Sequence, residues 1–115
     1  MEAYLTDAGP LVALLNRNDE YHRWASEQFG HIRETLLTCE GAVAEVAYLL
    51  QSDGLPPWGV LELIESEIVA VSFDLDTNLD RVLLLMKKYE DTPMDFVDAC
   101  LVTLTEAKRD CHLLT

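Results

Sequence analysis

Positive charge is the scarcest property of this chain: 8 Lys and Arg stand against 21 Asp and Glu, for a formal net charge of −13. Such a field repels nucleic-acid phosphates and anionic lipid at long range, so a polyanionic ligand needs metal ions or a partner to screen it. Cysteine is also sparse. Cys39, Cys100 and Cys111 are odd in number and form no C-x-x-C, which argues against a disulfide framework and reads as small core thiols in a reducing compartment. His22, His31 and His112 are scattered, and the adjacent Cys111-His112 cannot easily ligate one zinc ion. No apolar run approaches the ~18 residues of a membrane span, and Glu2 and Asp7 interrupt the N-terminus where a secretory signal would be basic and then apolar. The expectation is a cytoplasmic protein. Linker-like and repetitive stretches are missing too. At 115 residues and 50% hydrophobic content, the chain buries roughly two-thirds of its unfolded surface, enough for one domain and not for two.

The pattern that is present alternates strands with helices. Ala3-Tyr4-Leu5-Thr6 is a short β-prone run that stops at Asp7, and Gly9-Pro10 then opens a helix over Leu11 to Leu15. Tyr21, Trp24, Ala25, Phe29 and Ile32 recur at helical spacing and predict a second helix over residues 20–30. Thr35 to Thr38 is the second strand, and a third helix over 40–52 ends before Asp53-Gly54-Leu55-Pro56-Pro57, followed by a short helix from Trp58 to Glu65. Ile68 to Phe73 is continuously apolar and reads as the central strand of the sheet, buried on both faces. Asp74 to Tyr89 and Asp95 to Arg109 are the last helices, and Cys111 to Thr115 is the final strand. Alternation of this kind predicts an α/β fold with a mainly parallel sheet covered by helices on both faces.

Four carboxylates stand in apolar sequence settings where an uncompensated charge costs several kcal/mol: Asp7, Glu45, Asp95 and Asp98. No Lys or Arg is adjacent to Asp7, Glu45 or Asp98, so a hard divalent cation is the leading partner. Asp7 closes a strand at its carboxyl end, where open parallel sheets bind ligands, although a turn or cap role before the Pro10 helix is the alternative. At about 100° per residue the third helix sets Gly41, Ala42, Tyr48 and Leu49 around Glu45 and puts Glu40 elsewhere, so Glu45 is expected inward and Glu40 solvated. Asp95 and Asp98, spaced i, i+3, repel one another unless a cation or proton intervenes. They also fit a cap, with Asp95 as N-cap and Asp98 at the third helical position. Asp98 is the better ligand of the two. Asp7, Glu45 and Asp98 come from three elements, as a cage for Mg²⁺ or Mn²⁺ would, and the expected chemistry is phosphodiester hydrolysis by a water activated at the cation.

Other signals are weaker. Asp74-Leu75-Asp76-Thr77 after an apolar strand matches the D-x-D-x-T of haloacid-dehalogenase-type phosphatases, but capping of the next helix is the preferred reading of Asp74 or Asp76. Trp24, Phe29 and Trp58 could stack on bases, with core packing the expected role. Lys87-Lys88 and Lys108-Arg109 read as solvated helix ends.

The chain resembles PIN-domain ribonucleases, most like the VapC-type toxins of bacterial toxin–antitoxin pairs. The resemblance rests on Leu5-Thr6-Asp7 at the first strand end, Thr38 to Leu50 with Glu45, and Pro93 to Ala99 with Asp98, in that order and spacing. It implies a three-layer α/β/α fold and a Mg²⁺- or Mn²⁺-dependent endoribonuclease, often homodimeric and inhibited by a cognate antitoxin. The family's acids would fall on Asp7, Glu45 and Asp98, with Asp95 as an accessory ligand. Members usually continue after the last strand with a segment bearing a fourth acid, which is absent from these 115 residues. A PIN-like module without catalysis that only binds a protein partner is therefore the competing expectation.

Overall fold

Short extended runs separated by helices leave few ways to bury apolar surface, and a sheet sandwiched between helices is the one adopted. The computed structural model describes residues 2–108 and 110–115. In chain order the elements are β1 (Ala3–Thr6), α1 (Ala8–Leu15), α2 (His22–His31), β2 (Leu36–Thr38), α3 (Glu40–Ser52), α4 (Gly59–Glu65), β3 (Val69–Val71), α5 (Leu75–Lys88), α6 (Phe96–Glu106) and β4 (Cys111–Leu114). The four strands pair in parallel in the order β3-β2-β1-β4. Leu5 lies opposite Leu37 on one side and Leu113 on the other. The architecture is the three-layer α/β/α arrangement expected. No described helix is long and apolar enough to cross a membrane.

Two apolar clusters hold the layers. One gathers Leu11 and Val12 of α1, Val46 and Leu50 of α3, Val60 of α4 and Val69 of β3. The other gathers Cys39, Ala42 of α3, Val82 and Leu85 of α5, and Ala99, Cys100 and Leu101 of α6. Helix α3 serves both, because Ala42, Val46 and Leu50 recur every four residues and line one buried stripe. Full burial of a Val or Leu side chain stabilises by roughly 1.5–3 kcal/mol, so this stripe is the main anchor of the helix that carries Glu45. Gly41 lets α3 approach α6 closely: a Cβ there would stand 3.0 Å from Val97 Cγ2.

The expectation of a central strand at Ile68 to Phe73 is corrected. β3 covers only Val69–Val71 and lies at an edge of the sheet, with Ile68 exposed and Ala70 and Val71 half-buried. The interior strands are β1 and β2, where Leu5, Thr6, Leu36 and Thr38 are buried. A continuous apolar run reports that helices cover the strand, not that strands flank it. Trp24 and Trp58 are also corrected from core to surface, being 40% and 58% exposed, while Phe29 packs at the margin of the first cluster. The helical spacing of residues 21–32 was sound, but small Ala25 alone fills the buried position of α2. Helix α6 ends at Glu106 instead of reaching Arg109, which lies outside the described residues together with its half of the Lys108-Arg109 doublet.

Candidate functional site

Strand β1 turns into α1 with no intervening loop, and Asp7 is the single residue at the junction. It is the N-cap of α1, in extended conformation, and its Oδ1 accepts the Ala8 N–H at 2.7 Å. Capping and ligand roles are thus not alternatives here, since the cap uses one oxygen. Two buried threonines fix the junction from below. Thr38 Oγ1 donates to the Thr6 carbonyl at 2.8 Å, and Thr6 Oγ1 donates to the Asp7 carbonyl at 2.9 Å. The Asp7 N–H donates to the Leu114 carbonyl at 3.0 Å, so β2, β1 and β4 all hold this one backbone unit. Sequence reasoning passed over Thr6 and Thr38 as positioning groups; a hydroxyl at the last position of two otherwise apolar strands was the available signal.

Asp95 caps α6 and Asp98 occupies its third position, each carboxylate accepting from the other's backbone N–H. Glu45 projects from the middle of α3. Its expected inward orientation is corrected, because Glu45 is exposed, as Glu40 is, while Ala42 and Val46 take the buried stripe. Asp95 is exposed and Asp7 and Asp98 are half-buried, so none of the four acids sits in the apolar interior that their sequence neighbours implied.

The four acids nevertheless share one electrostatic locus. The Glu45 carboxyl is held above its ordinary range by partial desolvation first, then by the charges of Asp7, Asp95 and Asp98. Asp98 is raised as well, again by desolvation first; the Asp95 backbone N–H opposes this, and the charges of Asp95 and Asp7 add to it. The charged contacts found among the described residues, Arg23–Glu27, Arg81–Glu106 and, when His112 is protonated, His112–Glu2, involve none of the four. Among the described residues no set of three or more His, Cys, Asp or Glu side chains is drawn in to single-ion distance. The arrangement is an acidic concentration with no closed coordination shell. Its donor chemistry is all carboxylate oxygen, which fits a hard cation that keeps several of its waters, as Mg²⁺ does.

A cavity of about 370 Å³ opens against Asp7 and Asp98 and runs between α6 and β4. A larger one, of about 610 Å³, lies at α1, α2 and α3 and is lined by none of the four acids. At the rival motif, Asp74 is the N-cap of α5, accepting from the Asp76 N–H at 3.2 Å and from the Thr77 hydroxyl. That is the preferred capping role.

The backbone places these elements as another protein does. Over 91% of this chain and 82% of the other, it matches the crystal structure of VapC20 of Mycobacterium tuberculosis, a toxin that cleaves the sarcin–ricin loop, with a TM-score of 0.80 at 18% identity. The fold is PIN-like. No family model and no curated protein matches the sequence. What a PIN-like fold contributes at this site is the convergence itself: the end of β1, the middle of α3 and the start of α6 face one locus, although Asp7 and Asp98 are 91 residues apart in the chain.

Proposed function

We propose that this protein is a metal-dependent endoribonuclease, the toxin of a toxin–antitoxin pair, acting in the cytoplasm on RNA. The observation that carries this reading is the placing of Asp7, Glu45, Asp95 and Asp98 around one locus of a fold shared with VapC20, where desolvation first and then the charges of the neighbouring acids raise Glu45 and Asp98. Asp7, Glu45 and Asp98 would hold Mg²⁺ or Mn²⁺, with Asp95 accessory. When bound, such a cation supplies positive charge at a phosphodiester and acidifies water for attack. The chain's own residues position. Asp7 and Asp98 each commit one oxygen to a backbone N–H and present the other, on supports fixed by Thr6, Thr38 and the α6 cap. The −13 charge supplies no phosphate contacts of its own, which makes the cation indispensable for substrate approach. A cognate antitoxin is the expected protein partner. A second copy is expected to pack on the row Leu75, Leu79 and Leu83 of α5, exposed at i, i+4 spacing.

Thermal unfolding with and without Mg²⁺ or Mn²⁺ tests the reading. Saturating cation raises the Tm of the wild type by ligand linkage, about 2.7 kcal/mol at a hundredfold excess over Kd, and leaves Asp7→Asn unmoved. Asn keeps the Oδ1 cap, so the variant folds. Absence of a cation response, with no cleavage of structured RNA at millimolar Mn²⁺, would instead make this a PIN-like module that only binds a protein.

A further inference from the structure

Two thiols meet at the seam between α3 and α6, and the acidic site uses neither. Cys39 is the N-cap of α3, and Cys100 lies one turn into α6. Each is 1% exposed, and both belong to the apolar cluster that joins α3, α5 and α6. The Cys100 thiol interacts directly with that of Cys39, through a side-chain hydrogen bond. Both residues also line a cavity of about 320 Å³, bounded by Phe73, Phe96 and the first turns of α3 and α5. Hydrogen peroxide, about the size of two waters at roughly 30 Å³ each, fits it easily. The seam itself has little slack, since a Cβ at Gly41 would stand 3.0 Å from Val97 Cγ2. A disulfide holds its sulfurs about 2 Å apart, closer than any non-bonded contact, so forming one draws the start of α3 against α6. Glu45 rides on the first of these helices, and Asp98 stands two residues before Cys100 on the second.

We propose that Cys39 and Cys100 are an oxidisable pair, which a peroxide converts to a disulfide across the α3–α6 seam, and that this bond displaces Asp98 relative to Glu45 and switches off cation binding. The switch rests on the metal-site reading above; the disulfide does not. In the first step one thiol sulfur attacks a peroxide oxygen, the O–O bond breaks, and the thiol proton leaves with the departing hydroxide as water. The second sulfur then attacks the resulting sulfenic acid. The S–S bond forms, the S–O bond breaks, and the second thiol proton leaves with that hydroxide as another water. Two thiols thus lose two electrons while one peroxide is reduced to two waters. Burial that slows alkylation of these thiols does not bar so small an oxidant from the cavity they line. In a reducing compartment such a bond is transient, as a sensing disulfide must be. Cation sites tolerate misplacement of only about 0.5 Å, so a bond drawn across the seam is felt at Glu45 and Asp98.

The full chain carrying Cys111→Ser tests this, because the half-buried third thiol is then silent. The protein is treated with hydrogen peroxide and its remaining thiols are alkylated after denaturation; intact mass and peptide mapping are read beside Tm in Mg²⁺ and in EDTA. The expected product is a single chain lacking two hydrogens, with Cys39 joined to Cys100, restored by dithiothreitol. Most of the Mg²⁺-induced rise in Tm is lost on oxidation and returns on reduction. In Cys39→Ala and in Cys100→Ala, either of which serves if the other does not fold, peroxide leaves that rise intact. Thiols that stay free, that oxidise singly to sulfinic acid, or that pair between two chains overturn the proposal. A Cys39–Cys100 bond that leaves the Mg²⁺ response unchanged overturns the switch. A reduced protein with no Mg²⁺ response removes the metal reading and the switch with it, while the mass still decides the disulfide.

Discussion

Asp95 and Asp98 cap one another: the Asp98 N–H donates to Asp95 Oδ1 at 2.9 Å, and the Asp95 N–H donates to Asp98 Oδ2 at 3.2 Å. Each acid therefore stabilises the first turn of α6 and contributes negative charge to the candidate site. The two roles separate by substitution. Asp95→Ala removes the N-cap acceptor and is expected to cost about 0.5–2 kcal/mol in urea unfolding. Asp98→Asn keeps an oxygen acceptor, so its metal-free midpoint near neutrality does not fall below that of wild type, while the Mg²⁺-induced rise in Tm is lost. Equal loss of stability in both variants would show that Asp98 is a cap residue alone.

The pH dependence of the metal-free protein has a defined sign. Glu45 and Asp98 are raised above ordinary values of 4.5 and 3.8, so the folded state binds more protons than the unfolded chain between each ordinary value and its raised one. Their stabilising contribution is complete below the ordinary values and is lost as pH rises through the raised ones. In EDTA, Asp98→Asn should match the wild-type Tm at about pH 3, where the carboxyl is neutral, and exceed it near neutrality. Arg81 holds Glu106 below its ordinary range, which contributes in the opposite direction. That pair is common to both proteins and cancels in their difference.

Thr38→Val leaves the buried Thr6 carbonyl without its hydroxyl donor. The expected cost is about 1–3 kcal/mol by chemical denaturation, with Thr38→Ser close to wild type.

Thiol reactivity should follow burial. The Cys100 pKa is pushed up to about 11, first by desolvation and then by neighbouring Cys39, itself raised by desolvation. Half-buried Cys111 should take up iodoacetamide first at neutral pH, with Cys39 and Cys100 unmodified in the folded protein by mass spectrometry. Faster labelling of Cys100 than of Cys111 would contradict this packing.

Gly41 is required by the approach of α3 to α6, and not by any unusual φ. Gly41→Leu drives a side chain into Val97 and Phe96 and should cost about 1–3 kcal/mol by overpacking. Because Glu45 rides on α3 and Asp98 on α6, the same change should blunt the Mg²⁺-induced Tm shift.

The sequence by itself determined the elements and their punctuation. Asp7 is legible as the end of a strand with a cap as the alternative to a ligand, ahead of a helix opened by Gly9-Pro10, and the i, i+3 spacing of Asp95 and Asp98 suits a cap as well as a metal pair; the structure shows both caps. Alternation of strands and helices likewise announced a parallel sheet covered on both faces. Only the tertiary structure decided which strands are interior, that Glu45, Trp24 and Trp58 face solvent, and that Leu113 and Thr92 share a cavity with Asp7 and Asp98. Periodicity reports where a side chain points relative to its own helix or strand. Burial and cavities are joint properties of elements distant in the chain, settled when β4 and α6 close around the end of β1.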